Sequence, residues 1–211
     1  MVTKRSFVAA LLMFALPMIG IAAPTPAAAP KILVLGDSIS AGYGLAANEG
    51  WVSLLQNRLK AQGYGYRVIN ASVTGETTTG GLARLPRALS LHRPALVIIE
   101  LGGNDGLRGL PLGTSRANLQ KMIDLSIGAG AKVLLLGMKI PPNYGPRYAN
   151  EFESLYAELA RRNKLAFEPF FLDKIALADG MMQEDGIHPT AKAQPIMLET
   201  LWPRLTPLLQ R

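Results

Sequence analysis

The sequence predicts an α/β domain, a parallel sheet with helices on both of its faces. Three observations predict it. Short apolar runs, above all the unbroken Ile32–Leu35 and the almost wholly apolar Ala95–Leu101, suit strands covered on both sides, as those of parallel sheets are. Stretches with apolar residues at helical spacing alternate with those runs, separated by turn residues. At 211 residues the chain is long enough for one domain with a full core.

The elements follow in order. Ile32–Leu35 is the first strand, and Gly36 lets the backbone leave it sharply, which puts Ser38 at the strand's carboxyl end. Ala41–Ala47, rich in Gly and Ala, reads as a loop. Asn48-Glu49-Gly50 can start a helix with Trp51, Leu54, Leu55 and Leu59 on one face, and Gly63 stops it. Tyr66–Ala71 is the second strand. Ser72–Gly81 is a polar, glycine-bearing turn, followed by a short helix around Leu82–Leu89 that Pro86 can kink. Ala95–Leu101 is the third strand, and Gly102–Gly106 a loop directly after it. Thr114 can cap a helix carrying Leu119, Met122, Ile123 and Ile127, which ends at Gly128–Gly130. Val133–Leu136 is the fourth strand and Ile140–Pro146 a proline-rich loop. Phe152, Leu155, Tyr156 and Leu159 mark another amphipathic helix, Leu165–Phe167 a short fifth strand, and the last helical region is broken by Pro195 and Pro203. No internal repeat is visible.

The first residues read as a leader. Met1–Ala23 has a basic start at Lys4 and Arg5, an apolar stretch from Phe7 through Pro17 to Ile21, and small residues behind it. Gly20 and Ala22 place the cut after Ala22, residues 23–30 read as a disordered Ala/Pro-rich spacer, and the domain occupies residues 31–211. Export to the periplasm, or beyond it, is the expectation, and Pro17 argues against a retained membrane anchor.

No cysteine is present, so disulfides, thiolate chemistry and cysteine-held metals are excluded. The formal charge of +7 falls to about +5 without Lys4 and Arg5. With no long basic run and few aromatics near the cations, this argues against nucleic acid as a partner. A basic exterior favours anionic lipid surfaces or acidic substrates.

The chemistry-bearing residues collect at strand ends. In open α/β sheets ligands bind at the carboxyl edge, so Ser38 is a candidate nucleophile. It needs a base, and Asp185-Gly186-Ile187-His188-Pro189 sets an acid three residues before an imidazole. Asp185 can fix the tautomer of His188 while the other ring nitrogen faces Ser38. Pro189 biases His188 towards an extended backbone. The other histidine, His92, precedes the third strand and so falls on the wrong edge. Gly75 offers an unobstructed N–H, Asn104 a side-chain amide, and Ser38 its own N–H, three donors suited to an oxyanion. Each has a plainer use, Gly75 as a turn residue and Asn104 as a partner for loop backbone.

These blocks carry a resemblance. Gly36-Asp37-Ser38, Gly75, Gly102-Gly103-Asn104-Asp105 and Asp185-Gly186-Ile187-His188-Pro189 resemble, in order, the consecutive blocks of the SGNH, or GDSL-type, hydrolases. Gly81–Pro86, Glu100–Gly109 and Asn143-Tyr144-Gly145 are similar to stretches of the family's bacterial periplasmic thioesterase branch. The resemblance implies a flavodoxin-like three-layer α/β/α sandwich with a central five-stranded parallel sheet. It implies Ser38 as nucleophile, His188 as base, Asp185 as orienting acid, Ser38, Gly75 and Asn104 as the oxyanion hole, and neither metal nor organic cofactor. It implies arylesterase, acyl-CoA thioesterase and lysophospholipase activity on small-molecule substrates, by a monomer that makes at most transient contact with lipid. Position 40 is Ser rather than Gly, so the sharp Gly-x-Ser-x-Gly elbow is not expected.

For the acyl chain, Gly106–Gly113 combines Leu107, Leu110 and Leu112 with glycines beside Asn104. The resemblance implies that this loop shifts over a bound chain, with Ile140 and Tyr144 as the opposite wall; the plainer reading packs the leucines onto the core. Two other functions fit parts of the pattern. A carbohydrate O-deacetylase would share the triad, but the apolar residues near the site suit a fatty chain better. A phosphate-binding module could use Ser38, Thr77 and Thr78 as donors, which leaves Asp185 and His188 without a role.

Overall fold

The computed structural model describes residues 29–210, so the leader and nearly all of the spacer lie outside the described residues. Five strands, β1 Lys31–Gly36, β2 Arg67–Asn70, β3 Leu96–Glu100, β4 Lys132–Leu136 and β5 Ala166–Glu168, form one all-parallel sheet in the order β2-β1-β3-β4-β5. Strand order reverses direction between β1 and β3. That switch point opens a crevice at the carboxyl edge, the usual ligand position in this topology.

Among the described residues, seven α-helices accompany the strands: α1 Ser38–Ala41, α2 Trp51–Ala61, α3 Thr78–His92, α4 Gly103–Leu107, α5 Leu112–Gly128, α6 Pro146–Asn163 and α7 Gln194–Leu205. Alternation along β1 explains the two cores. Leu33 and Leu35 pack with residues of α3, α5 and α6, whereas Ile32 and Val34 pack on the other face with residues of α2 and α7. The inner strands β1, β3 and β4 are therefore buried on both sides, as their apolar runs predict, whereas the edge strands β2 and β5 are only partly covered.

Several expectations are corrected. The helix at Leu82–Leu89 runs from Thr78 to His92, because the Thr77 side chain caps it by accepting from Gly80 N. Pro86 lies inside α3 and Pro203 inside α7 without breaking either, and Pro195 occupies the first turn of α7, where no donor is lost. Both interior prolines are exposed, so water can satisfy the carbonyls they leave unpaired. Gly102–Gly106 is not simply a loop, since most of it winds into α4, and α5 starts at Leu112 rather than at a Thr114 cap. Ile127 faces out at 49 % exposure while Ser126 is buried in its place, donating to Met122 O.

Candidate active site

Ser38 opens α1 immediately beyond β1, and Asp37 caps that turn by accepting from Ile39 N at 3.0 Å. Gly36 is dictated by space: a Cβ there would lie 2.6 Å from Glu100 Oε2 and 2.8 Å from the Ser40 side chain. Asn70 steadies the far end of the turn by donating to Ser40 O at 2.8 Å. The nucleophile candidate is thus fixed by β1 behind it and by β2 and β3 on either side.

The Asp185–Pro189 loop reaches Ser38 from the connection before α7. His188 Nε2 lies 2.8 Å from Ser38 Oγ, and His188 Nδ1 lies 2.6 Å from Asp185 Oδ2. Asp185 Oδ1 accepts from the backbone N–H groups of Ile187 and His188, both at 2.9 Å. The His188 backbone bond, then the imidazole, then Ile187 hold this carboxyl well below the usual range, down to about 2. Gln183 braces the loop: its N–H donates to His188 O at 2.7 Å, and its side-chain amide donates to Tyr43 O at 2.9 Å and Pro189 O at 3.1 Å. The Tyr43 ring lies against the imidazole with centroids 4.4 Å apart.

The three oxyanion-donor candidates meet at the same edge. Gly75 sits beyond β2 with φ +77°, a conformation that favours glycine. Its loop is tied down by Arg84, which pairs with Glu76 at 2.6 Å and also donates to Ala71 O and to Gly36 O. Asn104, in α4 beyond β3, donates through Nδ2 to Glu76 O at 3.0 Å and to Asp37 Oδ2 at 3.3 Å. Asp105 locks that turn in place, accepting from Thr78 N at 2.9 Å, Thr78 Oγ1 at 2.5 Å and Ser115 Oγ at 3.1 Å.

Beneath Ser38 lies a pair of acids that the sequence reading did not single out. Glu100 is fully buried; its Oε2 accepts from Asp37 N at 3.3 Å and Ser40 Oγ at 2.5 Å, and its Oε1 has no partner among the described residues. Burial, then the charge of Asp37, pushes the Glu100 carboxyl well above its usual range. Burial also raises Asp37 to about 6, against the pull of the Ile39 N–H, His188 and Asn104. The available signal was Glu100 itself, a charge ending an otherwise apolar strand.

The residues expected around an acyl chain are placed unevenly. Leu107 and Leu110 are half-buried, Tyr144 is 38 % exposed, and Ile140 is buried against Gly106 and Phe152. Tyr144 donates to Leu107 O and Tyr148 to Leu110 O, each at 2.8 Å. Only residues 108–111 lie between α4 and α5, so the expected eight-residue loop is a short link held by two tyrosines, and Leu112 packs into the core. His92 ends α3 on the opposite edge of the sheet, as expected.

Known proteins share the sequence and fold of this chain. Residues 34–195 fit the model of the GDSL-like lipase/acylhydrolase family. Esterase TesA of Pseudomonas aeruginosa is 56 % identical over 183 residues, covering 87 % of this chain and 91 % of that one. The thioesterase 1/protease 1/lysophospholipase L1 of Escherichia coli is 40 % identical, covering 87 % and 86 %. A crystal structure of the psychrotrophic esterase EstA from Pseudoalteromonas sp., inhibited by monoethylphosphonate, superposes with a TM-score of 0.80 at 41 % identity, covering 84 % of this chain and 97 % of that one. With the fold, the order of blocks and the matched length in agreement, the chain belongs to the GDSL-like lipase/acylhydrolase family.

Proposed function

We propose that the chain hydrolyses esters and thioesters of apolar acyl chains through an acyl-enzyme on Ser38. That it is a serine ester hydrolase follows from its family and its relatives. The observation that carries the residue roles is the unbroken line from Ser38 Oγ to His188 Nε2 at 2.8 Å and from His188 Nδ1 to Asp185 Oδ2 at 2.6 Å. His188 accepts the Ser38 proton as Oγ bonds to the carbonyl carbon, and Asp185 holds the tautomer and stabilises the imidazolium. The carbonyl oxygen becomes an oxyanion, met by the N–H groups of Ser38 and Gly75 and by Asn104 Nδ2, which exchanges its long contact with Asp37 for this one. The imidazolium then protonates the departing alcohol or thiol. Water, deprotonated by His188, attacks the acyl-enzyme and returns Ser38.

Leu107, Leu110, Ile140 and Tyr144 are the proposed acyl contacts, which suits aryl esters, acyl-CoA thioesters and lysophospholipids better than acetylated sugars. A phosphate-binding role is not favoured, since it gives the bonded Asp185–His188 pair nothing to do. We place the working protein in the periplasm as a monomer, after cleavage behind Ala22. The test is a panel of aryl esters, acyl thioesters, lysophospholipids and acetylated sugars of graded acyl length, ranked by kcat/KM with Ser38→Ala as blank. Acetylated sugars ranking first would overturn the substrate assignment.

A further inference from the structure

The two edges of the sheet differ in charge. At the carboxyl edge, the connections mix both signs: Asp37, Glu49, Glu76, Asp173, Asp179, Glu184 and Asp185 stand among Arg108, Lys139, Lys174 and Lys192. At the amino edge, the connections 62–66, 93–95, 129–131, 164–165 and 206–210 contain no carboxylate. Cations collect there instead. Lys31 and Arg67 begin β1 and β2, Arg93 and Lys164 cap the carboxyl ends of α3 and α6, and Lys60 lies in the last turn of α2. With Arg87, these six take part in none of the ion pairs among the described residues.

Helix ends alone do not account for this. A helix carboxyl terminus favours Lys and Arg, which rationalises Lys60, Arg93 and Lys164. Lys31 and Arg67 open strands, however, and Lys31, Arg87 and Arg93 surround one open concavity of about 790 Å³ with Leu91 and His92. Apolar surface adjoins the charge. Leu91, 67 % exposed, and Ile127, 49 % exposed, project from the last turns of α3 and α5, which pack side by side. Exposed aliphatic side chains among unpaired cations suit a surface that is anionic outside and apolar within.

We propose that the amino-terminal edge of the sheet is a docking surface for an anionic lipid bilayer, which holds the chain with the Ser38 edge turned away from the membrane. Headgroup phosphates meet Lys31, Arg87 and Arg93, and Leu91 and Ile127 enter the interface. β1 is about 20 Å long at roughly 3.3 Å per residue, so the site stands above the reach of intact bilayer lipid. Substrates then arrive from solution, as monomeric esters, thioesters or lipids that have left the membrane. The surface does not depend on the chemistry proposed for Ser38.

The test is co-sedimentation of the purified chain with vesicles of phosphatidylcholine alone or mixed with phosphatidylglycerol, at low and high salt. Binding to the anionic vesicles, and its loss as salt rises, is the expected result. Arg87→Glu with Arg93→Glu should weaken it by about 25-fold or more, at roughly fivefold for each cation lost. Arg147→Glu with Lys192→Glu makes the same change in net charge at the carboxyl edge and should leave binding in place. Lys31→Gln with Arg87→Gln repeats the amino-edge test without introducing repulsion, should the first pair impair folding. Vesicle-bound protein should hydrolyse a soluble aryl ester as fast as free protein. Equal binding to neutral vesicles, equal losses in the two charge-reversed pairs, or inhibition of the soluble ester by vesicles would each overturn the proposal.

Discussion

Asp185 and Asp37 flank the same serine, and their surroundings drive them in opposite directions. The Asp185 side chain is 39 % exposed and accepts three short hydrogen bonds, so little desolvation opposes its donors and the carboxyl stays ionised down to about pH 2. Asp37 is 2 % exposed and accepts two, one of them at 3.3 Å. It lies beside Glu100 of β3 and feels the charge of Asp105 in α4, against the pull of His188, and there burial wins. What separates them is the ratio of donors to lost water, not the residue type. In the proposed mechanism Asp185 holds the base, and Asp37 holds the proposed oxyanion donor Asn104 and the turn bearing Ser38.

If Asp185 acts only through His188, the members of that line should fail as a unit. Ser38→Ala, His188→Ala and the double change should each lower kcat by about 10⁶-fold, without adding. Asp185→Asn should cost about 10⁴-fold by favouring the wrong imidazole tautomer. Steady-state rates on one aryl ester decide it, and additive losses would separate Ser38 from His188. The Asp37 side should be weaker. Asn104→Ala should reduce kcat by about 10²- to 10³-fold with KM little changed, because the donor matters when charge develops. A defect in KM alone would return Asn104 to a structural role.

Asp37→Asn sharpens the contrast by pH. With a folded value of about 6 against 3.8 for the free side chain, the native state holds the extra proton between those limits, so Asp37 lowers stability as pH rises through them. Asp37→Asn should therefore raise Tm at pH 8 and give no gain at pH 3.5. Above pH 6 the ionised Asp37 also attracts the imidazolium formed in turnover, so the variant should be several-fold slower than wild type at pH 8 and nearly equal to it at pH 5. A loss independent of pH would make the Asp37 charge irrelevant to turnover. Leu107→Ser with Leu110→Ser is the mildest change and touches neither aspartate. It should flatten the preference for longer acyl chains, worth about fourfold per methylene at ~0.8 kcal/mol each, and leave acetyl esters nearly unchanged. Equal loss on short and long esters would remove these leucines from the acyl site.

What could be read from the sequence was whatever is local. All five strands were placed to within one residue at each end, most plainly β1, β3 and β4, because strands buried on both faces admit almost nothing polar. Helical spacing marked α6 by Phe152, Leu155, Tyr156 and Leu159, all buried. The Asp185–His188 spacing implied a bonded pair, and the two are bonded. The contacts that set the second aspartate were not legible. Asn104 meets Asp37 across 67 positions and Ser40 meets Glu100 across 60, pairings that only the completed sheet creates. Pro195 and Pro203 misled for a related reason, since whether a proline breaks a helix depends on its place in the helix and on which side of it faces water.

His188 is proposed to make Ser38 nucleophilic, and covalent labelling reads that reactivity at the serine itself. The purified chain treated with a fluorophosphonate at pH 8 should gain the mass of one label, located at Ser38 by peptide mapping. Ser38→Ala should gain none, His188→Ala should label more slowly by orders of magnitude, and Asp37→Asn should still label at Ser38. Labelling of a different residue, or of Ser38 at an undiminished rate in His188→Ala, would contradict the account.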